Sequence, residues 1–437
     1  MNMPVRCPRL LCLCVCLPGL LLGPARARAQ AAALTGAGPG VAAPHHPLDA
    51  RPGWGPREPQ PGPRVQPAGD CLCPAACKKV FGPETGFAKR GIDFEGWLQL
   101  DGATLGGGLS PARAFDGQYL LDLSATFDTQ KLAGWAGGTL LVDMQTHSGP
   151  NIVSQYVPAI QDPDNMDAHS FTEIDRAWYR QMLWGQKLQL QVGLMYVDEQ
   201  FFTVPYGDNF ISLNFSSDAT ISTFVLPTYP RGSFGGSAFF YPVKGVYVSA
   251  GVFNDHSAEL PYDPGGDLWV TEEGWQHPWR GLPFSLQVGA WHDTGSFQPL
   301  AGPVGSVVPG ATGAYLVAGQ KLWHPAKAPD RGLGAFLQLG SAPPTVAAID
   351  RHAGAGVVWT GAFDARPHDE IGFAFSDGSL SPQGGFLHGF ENEFEAYYQI
   401  YVSSCLTVQP DVEYWQHPGG RATPNAWLYS IRMQHTF

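Results

Sequence analysis

From residue 91 to its end, the chain repeats one pattern: short runs in which apolar and polar side chains take turns. In the last run, 425–437, Trp427, Tyr429, Ile431, Met433 and Phe437 share one parity, and Leu428, Ser430, Arg432, Gln434 and Thr436 share the other. Successive side chains of a β-strand point to opposite faces, so this run has one apolar face and one mostly polar face. The same holds at 92–101, where Ile92, Phe94, Leu98 and Leu100 alternate with Asp93, Glu95, Trp97, Gln99 and Asp101. It recurs at 118–128, 187–196, 393–402 and 406–415. A chain built this way must find two different solvents for its two faces.

The start of the chain names the compartment. Arg6 and Arg9 precede an apolar run at 10–22, and Ala27-Arg28-Ala29 follows. A basic start, a core too short to span a bilayer and a small-x-small site make a signal peptide, 1–29, cleaved after Ala29. No cysteine stands at the cleavage point, so no lipid anchor is expected. After residue 29 no stretch approaches a transmembrane helix in length and apolarity. Export together with amphipathic strands points to an integral β-barrel of a bacterial outer membrane, all-β and antiparallel.

Composition fits. Mean hydropathy is −0.10, because lipid-facing and lumen-facing residues cancel within any window. The net charge is −12; Arg6, Arg9, Arg26 and Arg28 leave with the signal and no acid does, so the mature chain carries −16. An acidic chain without a basic patch excludes nucleic acid as a partner.

Sixteen candidate strands are centred near residues 97, 121, 141, 177, 192, 219, 236, 250, 289, 317, 336, 356, 372, 396, 411 and 431. An even number closes a bacterial barrel, and about sixteen strands leave an aqueous lumen. Tight links at 402–405 and 242–244 mark the periplasmic end. Long links at 148–170, 255–282 and 416–424 mark the extracellular end, and the first two are long enough to fold inward. Residues 30–69, rich in Pro, Ala and Gly, make a disordered periplasmic segment. Residues 70–90 form a cysteine-containing transition with one short helix near 75–81, and 91–437 is the barrel. Cys71, Cys73 and Cys77 form a local disulfide rather than a zinc site, because no histidine is near and the periplasm oxidises thiols. Cys405 is read as a small buried residue. Asp162, Asp164 and Asp167 lack the glycine and distal glutamate of a calcium loop and are read as a solvated loop. No metal or cofactor is expected.

Two blocks carry a family resemblance. Phe390-Glu391-Asn392-Glu393-Phe394-Glu395-Ala396-Tyr397-Tyr398-Gln399-Ile400 leads into Leu406-Thr407-Val408-Gln409-Pro410-Asp411-Val412-Glu413-Tyr414, then His417-Pro418-Gly419-Gly420 and the final strand. Upstream stand Glu173-Ile174-Asp175-Arg176-Ala177-Trp178 and Leu132-Ala133-Gly134-Trp135-Ala136-Gly137-Gly138. These blocks resemble the carbohydrate-selective porins, the OprB-like family, over about 91–437. The family's Asp-Trp-Gly-Gly-Leu-Arg-type opening is replaced by Phe81-Gly82-Pro83-Glu84-Thr85-Gly86-Phe87-Ala88-Lys89-Arg90, so the periplasmic start differs. The resemblance implies passive diffusion of mono- and disaccharides across an outer membrane of lipid and lipopolysaccharide. It also implies that Phe437, an aromatic last residue on an amphipathic last strand, addresses the barrel-assembly machinery. The chain is a monomer or a trimer on this reading.

A sugar channel needs carboxylates, amides and guanidinium groups for hydroxyls and aromatic faces for C–H surfaces. Inward parity supplies Glu391, Glu393, Glu395, Asp411 and Glu413, with Arg432 beside them, and Asp93, Glu95 and Trp97 on the first strand. In the strand 172–182 two faces are open: Arg176, Trp178 and Arg180, or Glu173, Asp175 and Tyr179. Three polar-capable residues favour the first, with Trp178 as a stacking platform. The competing classes are an outer-membrane barrel hydrolase, which needs a Ser–His pair near one rim, and a general or structural barrel without sugar selectivity.

Overall fold

The computed structural model describes residues 86–106, 115–149, 157–254, 263–303 and 305–437. The short helix expected near 75–81 and the cysteines Cys71, Cys73 and Cys77 lie outside the described residues. Sixteen antiparallel strands close into one barrel in sequence order. They are β1 Ile92–Gly106, β2 Phe115–Asp128, β3 Gly138–Ser148, β4 Phe171–Leu183, β5 Leu188–Met195, β6 Ser233–Val243, β7 Val246–Asn254 and β8 Asp267–Gln276. The second half is β9 Phe284–Phe297, β10 Val308–Trp323, β11 Gly332–Ser341, β12 Ile349–Thr360, β13 Glu370–Leu380, β14 Phe390–Ser403, β15 Leu406–Gln416 and β16 Ala426–Thr436. A short helix α1, Thr129–Ala133, caps the β2–β3 link, and α2, Ala219–Ser222, sits inside the barrel. Among the described residues no helix is long and apolar enough to cross a membrane.

Closure depends on the pairing of β1 with β16, from Trp97↔Thr436 to Gly106↔Trp427. Phe437 extends it: its N–H donates to the Gly96 carbonyl at 2.9 Å and its carbonyl accepts from Gly96 N–H at 3.0 Å. A full ring of ladders leaves no sheet edge exposed to hydrocarbon, where an unpaired backbone group costs several kcal/mol. On the inner face of this seam Asp101 and Arg432 are direct partners, joined by Nε–Oδ1 at 3.0 Å and Nη2–Oδ2 at 2.6 Å.

The outer wall follows the alternation. Trp427, Tyr429, Ile431 and Met433 are exposed outward, as are Val192, Val248, Val288, Leu337, Leu339 and Phe373. In a bilayer this apolar belt faces acyl chains, so its exposure to solvent in isolation is expected.

Two strand assignments differ from the sequence reading, although the total is sixteen. The segment near 219 is not a strand; it holds α2, buried inside the barrel. The missing strand is β8, which the sequence places within a long loop. Its inward residues Leu268 and Val270 are buried and its outward Trp269 and Trp275 are exposed. Apolar residues fall on both faces, as do acids, Glu272 inward and Glu273 outward, so no alternation survives to mark it.

The reason is the filling of the lumen. Residues 196–232, between β5 and β6, fold into the barrel, and so does 157–170, between β3 and β4. Phe201, Phe202, Phe210, Phe215, Ile221 and Phe224 of the first segment form one core with inward-facing Phe239, Phe253, Leu268, Trp291, Tyr315 and Phe336. Each fully buried aromatic contributes about 1.5–3 kcal/mol. Packing at this density needs backbone room. Tyr315 lies across its register partner Gly289, where an added Cβ would meet the ring at 2.2 Å.

Cys405, in the β14–β15 turn, is buried. It is also disulfide-bonded, where the sequence reading gave only burial. Asp164 and Asp167, read from sequence as a solvated loop, are buried in the lumen instead.

The seam yields a first prediction. A Cβ on Gly96 would stand 2.4 Å from the Phe437 ring and 2.9 Å from Leu123, whereas one on Gly117 would meet nothing closer than 3.7 Å. Overpacking of this kind costs about 1–3 kcal/mol. Gly96→Val should lower the fraction of heat-resistant, fast-migrating barrel on detergent gels, and Gly117→Ala should leave it unchanged. Equal heat resistance of the Gly96 variant and the parent would show that the seam does not depend on this contact.

Candidate functional site

The inner wall is decided by a bulge in β4. The β3–β4 register passes from Asp143↔Arg176 to Met144↔Ile174, so Asp175 is an extra residue. A bulge puts two consecutive side chains on one side, and Asp175 and Arg176 are both buried inward. Both faces left open by the sequence are thus partly inward. Glu173, partnered with inward Gln145, and Asp175 face the lumen before the bulge; Arg176, Trp178 and Arg180 face it after. Tyr179 pairs with lipid-facing Leu140.

Arg176 is the hub of this wall. Its Nε donates to Asp143 Oδ2 at 2.8 Å, its Nη2 to Asp143 at 2.5 Å and to Asp122 Oδ2 at 3.1 Å, and its Nη1 to Glu199. Tyr196 O–H donates to Asp175, and Gln145 Nε2 donates to Asp122 at 2.7 Å. One buried guanidinium thus donates to three carboxylates, and Asp175 Oδ2 lies 3.8 Å from its Nε. A charge so buried is tolerated only with such pairing. Asp122, Asp143, Tyr196 and Glu199 were not singled out from sequence. The first two share the inward parity of their strands; Tyr196 shares the apolar parity of Leu190, Val192 and Leu194 in the run 187–196, and Glu199 sits on an irregular segment that has no period to reveal it.

Next to Arg176, Trp178 and Arg180 line a cavity together with Gln189, Gln191, Glu199, Gln200 and Phe239. The Arg180 guanidinium lies 5.3 Å from the Trp178 ring centre. Two buried polar atoms in this lining, Trp178 Nε1 and Gln189 Oε1, have no hydrogen-bond partner among the described residues. A donor, an acceptor and an aromatic ring are thereby left to one small space.

Further round the wall, beyond the β1–β16 seam, β14, β15 and β16 bring Glu391, Glu393, Glu395, Asp411, Glu413 and Arg432 together, all buried. Most of these carboxylates hold the inward segments. Glu391 accepts from Ile160 N–H at 3.1 Å, from Gln161 N–H at 2.8 Å and from Gly419 N–H. Glu393 accepts from Ser212 Oγ at 2.9 Å and Asn214 Nδ2 at 2.7 Å. Glu395 accepts from Ile211 N–H at 2.6 Å and Ser212 N–H at 3.1 Å. Glu413 accepts from Trp415 Nε1 at 2.8 Å. Arg432, besides Asp101, reaches Asp164 Oδ1 at 3.3 Å and Asn165 Oδ1 at 2.8 Å on the other inward segment. Glu393 Oε1, Asp411 Oδ1 and Glu413 Oε1 have no partner among the described residues.

Asp93, Glu95 and Trp97 do not join either group. Glu95 is exposed and Asp93 half-buried near the short-turn end of β1. Trp97 packs against Met166, Tyr196 and Tyr229 of the inward segments.

Acids on the inward segments are displaced from their ordinary range. Burial, with the charge of Asp101 adding and Arg432 opposing, pushes Asp164 up to about 7. Burial raises Asp198 to about 7, and burial together with the Glu370 charge raises Asp208 to about 7.

The model of the carbohydrate-selective porin, OprB family, matches residues 113–437. Porin B of Pseudomonas aeruginosa is 24% identical over 415 residues, covering 82% of this chain and 90% of that protein. The putative porin QuiX of Acinetobacter baylyi is 20% identical over 399 residues, covering 80% and 90%. Among solved structures, the high-pH form of Pseudomonas putida OprB superposes with a TM-score of 0.74 at 20% identity, covering 82% of this chain and 97% of that one. With a closed sixteen-stranded barrel and a family match over most of its length, this integral outer-membrane protein belongs to the carbohydrate-selective porin, OprB family.

Proposed function

We propose that the chain carries small neutral carbohydrates, mono- and disaccharides, by passive diffusion into the periplasm, and that Trp178 and Arg180 belong to the wall they pass. The observation that carries this reading is the unpartnered donor and acceptor, Trp178 Nε1 and Gln189 Oε1, beside an aromatic face and a guanidinium. Ring C–H surfaces stack on aromatic faces, and hydroxyls both donate and accept. Arg176 holds this wall through its carboxylates. Glu391, Glu393, Glu395, Asp411 and Glu413, with Arg432, continue the polar wall across the seam, and its unpartnered oxygens accept from sugar hydroxyls. Asp93, Glu95 and Trp97 belong to the periplasmic exit. The short turns and the chain ends are assigned to the periplasmic side, and Phe437 to barrel assembly.

The test is ion current through single channels in planar bilayers, titrated with glucose and with a disaccharide. Trp178→Ala should raise the half-blocking sugar concentration roughly two- to tenfold, the equivalent of about 0.5–1.5 kcal/mol of stacking. A current that responds to no sugar in either protein would overturn the assignment.

Two charge-removing variants separate selection from scaffolding. Glu413→Gln removes a charge but keeps an acceptor for Trp415, so cation preference should fall at unchanged conductance. Glu395→Gln weakens two charge-assisted bonds to the 211–212 backbone, worth about 1.5–3 kcal/mol each. Its channels should be noisier and of higher mean conductance. Identical traces for the two variants would show that Glu395 does not hold the inward segment.

The inward acids predict a pH dependence. Asp164, Asp198 and Asp208 have pKa values of about 7, raised from 3.8, so each is protonated in the folded barrel below that pH and ionised above it. The sign follows: more lumenal negative charge at higher pH, hence rising cation preference between about pH 6 and 8, read as reversal potential in a salt gradient. Because a raised carboxyl pKa means the folded state holds the proton longer, docking of these segments should weaken, not strengthen, as pH climbs from about 4 to 7. A reversal potential flat across that range would contradict the assignment.

A further inference from the structure

We propose that the rim formed by the short turns between β4 and β11 is a docking surface for anionic phospholipid headgroups. Four successive turns there repeat one combination: an exposed aromatic followed within four residues by an exposed cation. They are Trp184 with Lys187, Phe240 with Lys244, Trp279 with Arg280 and Trp323 with Lys327. The links 184–187, 244–245 and 277–283 contain no acid, and 324–331 contains Asp330 alone. Near this rim the strands of the arc add one outward acid, Glu273 of β8. Other cations of the short turns already hold carboxylates. Arg331 donates to Asp364 at 2.9 Å, and Arg366 to Asp369 at 2.7 and 2.9 Å. Lys131 lies 3.9 Å from Asp128.

The combination suits the boundary of a bilayer. Aromatic side chains of a barrel gather where acyl chains meet headgroups. A basic residue a few positions further out then lies among the phosphates. The rim is continuous with the apolar belt, since Val248 of β7, Val288 of β9 and Leu337 of β11 are exposed beside it. Successive turns are two strands apart, roughly 10 Å along the circumference, so the cations are spread along a row of headgroups. The Arg280 guanidinium lies 5.0 Å from the Trp279 ring centre, and its planar fork matches a phosphate held beside that ring. A zwitterionic headgroup brings an ammonium group that meets few acids here. An anionic one leaves a net attraction, about fivefold in affinity for each basic residue. The opposite rim of the same arc has the other balance: its exposed charges among the described residues are Asp263 and Asp267 against Arg231.

The experiment uses the full mature protein in detergent, titrated with phosphatidylglycerol or with phosphatidylethanolamine and followed by native mass spectrometry. The parent should hold phosphatidylglycerol more tightly. A variant combining Lys187→Gln, Lys244→Gln, Arg280→Gln and Lys327→Gln should lose that preference, its phosphatidylglycerol affinity falling about fivefold per site. Arg280→Gln alone should weaken one site by the same factor, which keeps the test decisive if the combined variant assembles poorly. Arg231→Gln with Arg351→Gln and Arg421→Gln removes charge from the other rim and should leave the preference unchanged. Equal affinity of the parent for the two lipids would overturn the proposal. So would an unchanged preference in the short-turn variants, or an equal loss in the other-rim variant. Soluble glycerol phosphate at the same concentration should not displace the lipid; displacement would make this a site for free phosphate and overturn the membrane assignment.

Discussion

Irregular backbone inside a barrel has to find hydrogen-bond partners, and the rest of this structure depends on how it does so. Two segments, 157–170 and 196–232, run through the lumen without regular pairing of their own. Inward glutamates meet their N–H groups: Glu391 takes Ile160 and Gln161, Glu395 takes Ile211 and Ser212, and Glu272 takes Phe202 at 3.3 Å. Inward glutamines meet their carbonyls: Gln287 donates to Thr203 at 2.9 Å, Gln409 to Asn209 at 2.8 Å and Gln338 to Asn214. A carboxylate only accepts, whereas a carboxamide can also donate, so a backbone carbonyl docks on Gln and not on Glu. An unmet buried amide costs about 1–3 kcal/mol, enough to make these positions decisive for where the segments lie.

The same segments divide the lumen into unlike halves. Toward β6–β13 the inner wall is aromatic, because it packs against Phe201, Phe202, Phe210 and Phe215. Toward β14–β16 and β1–β5 it is ionic, because Arg432 and Arg176 each gather several carboxylates. Glu272, on β8, is a carboxyl buried within the aromatic half: Tyr247 and Tyr315 donate to it at 2.6 and 2.8 Å. A barrel of this strand count without the inward core would be a wide aqueous pore. The apolar half removes much of that cross-section and leaves the polar half to face a solute.

This division also explains what the sequence made legible. The last strand was readable because one side met lipid and the other met polar groups: Trp427 and Ile431 point out, Arg432 points in. β14 and β15 were readable for the same reason. β8 was not, since Leu268 and Val270 face a protein core rather than water and the period-two contrast vanishes. The stretch near 219 misled in the converse way: it mixes polar and apolar residues as a strand does, yet the barrel around it buries both kinds. The face of 172–182 could not be decided from parity because the bulge at Asp175 changes parity midway; Glu173 and Asp175, then Arg176 and Trp178, are all inward. The carboxylates of β14 were recognisable as inward, but their bonds to the loops were not. Their partners Ile211, Ser212 and Asn214 lie about 180 residues away in sequence.

The charge of the lumen follows from the same geometry. Each glutamate that secures a backbone N–H adds a carboxyl group with no cation of its own, whereas Arg176 and Arg432 are already shared among several acids. A wall so constructed carries an excess of carboxylate as a by-product of holding its own loops. On the proposed path an anion would meet few cations that are not already shared. Neutral sugars are indifferent to net charge and respond instead to the density of donors and acceptors, which the same residues supply. On the proposed path, then, preference for uncharged polyols over anions requires no separate filter; it is a consequence of fastening irregular backbone inside a barrel with glutamate.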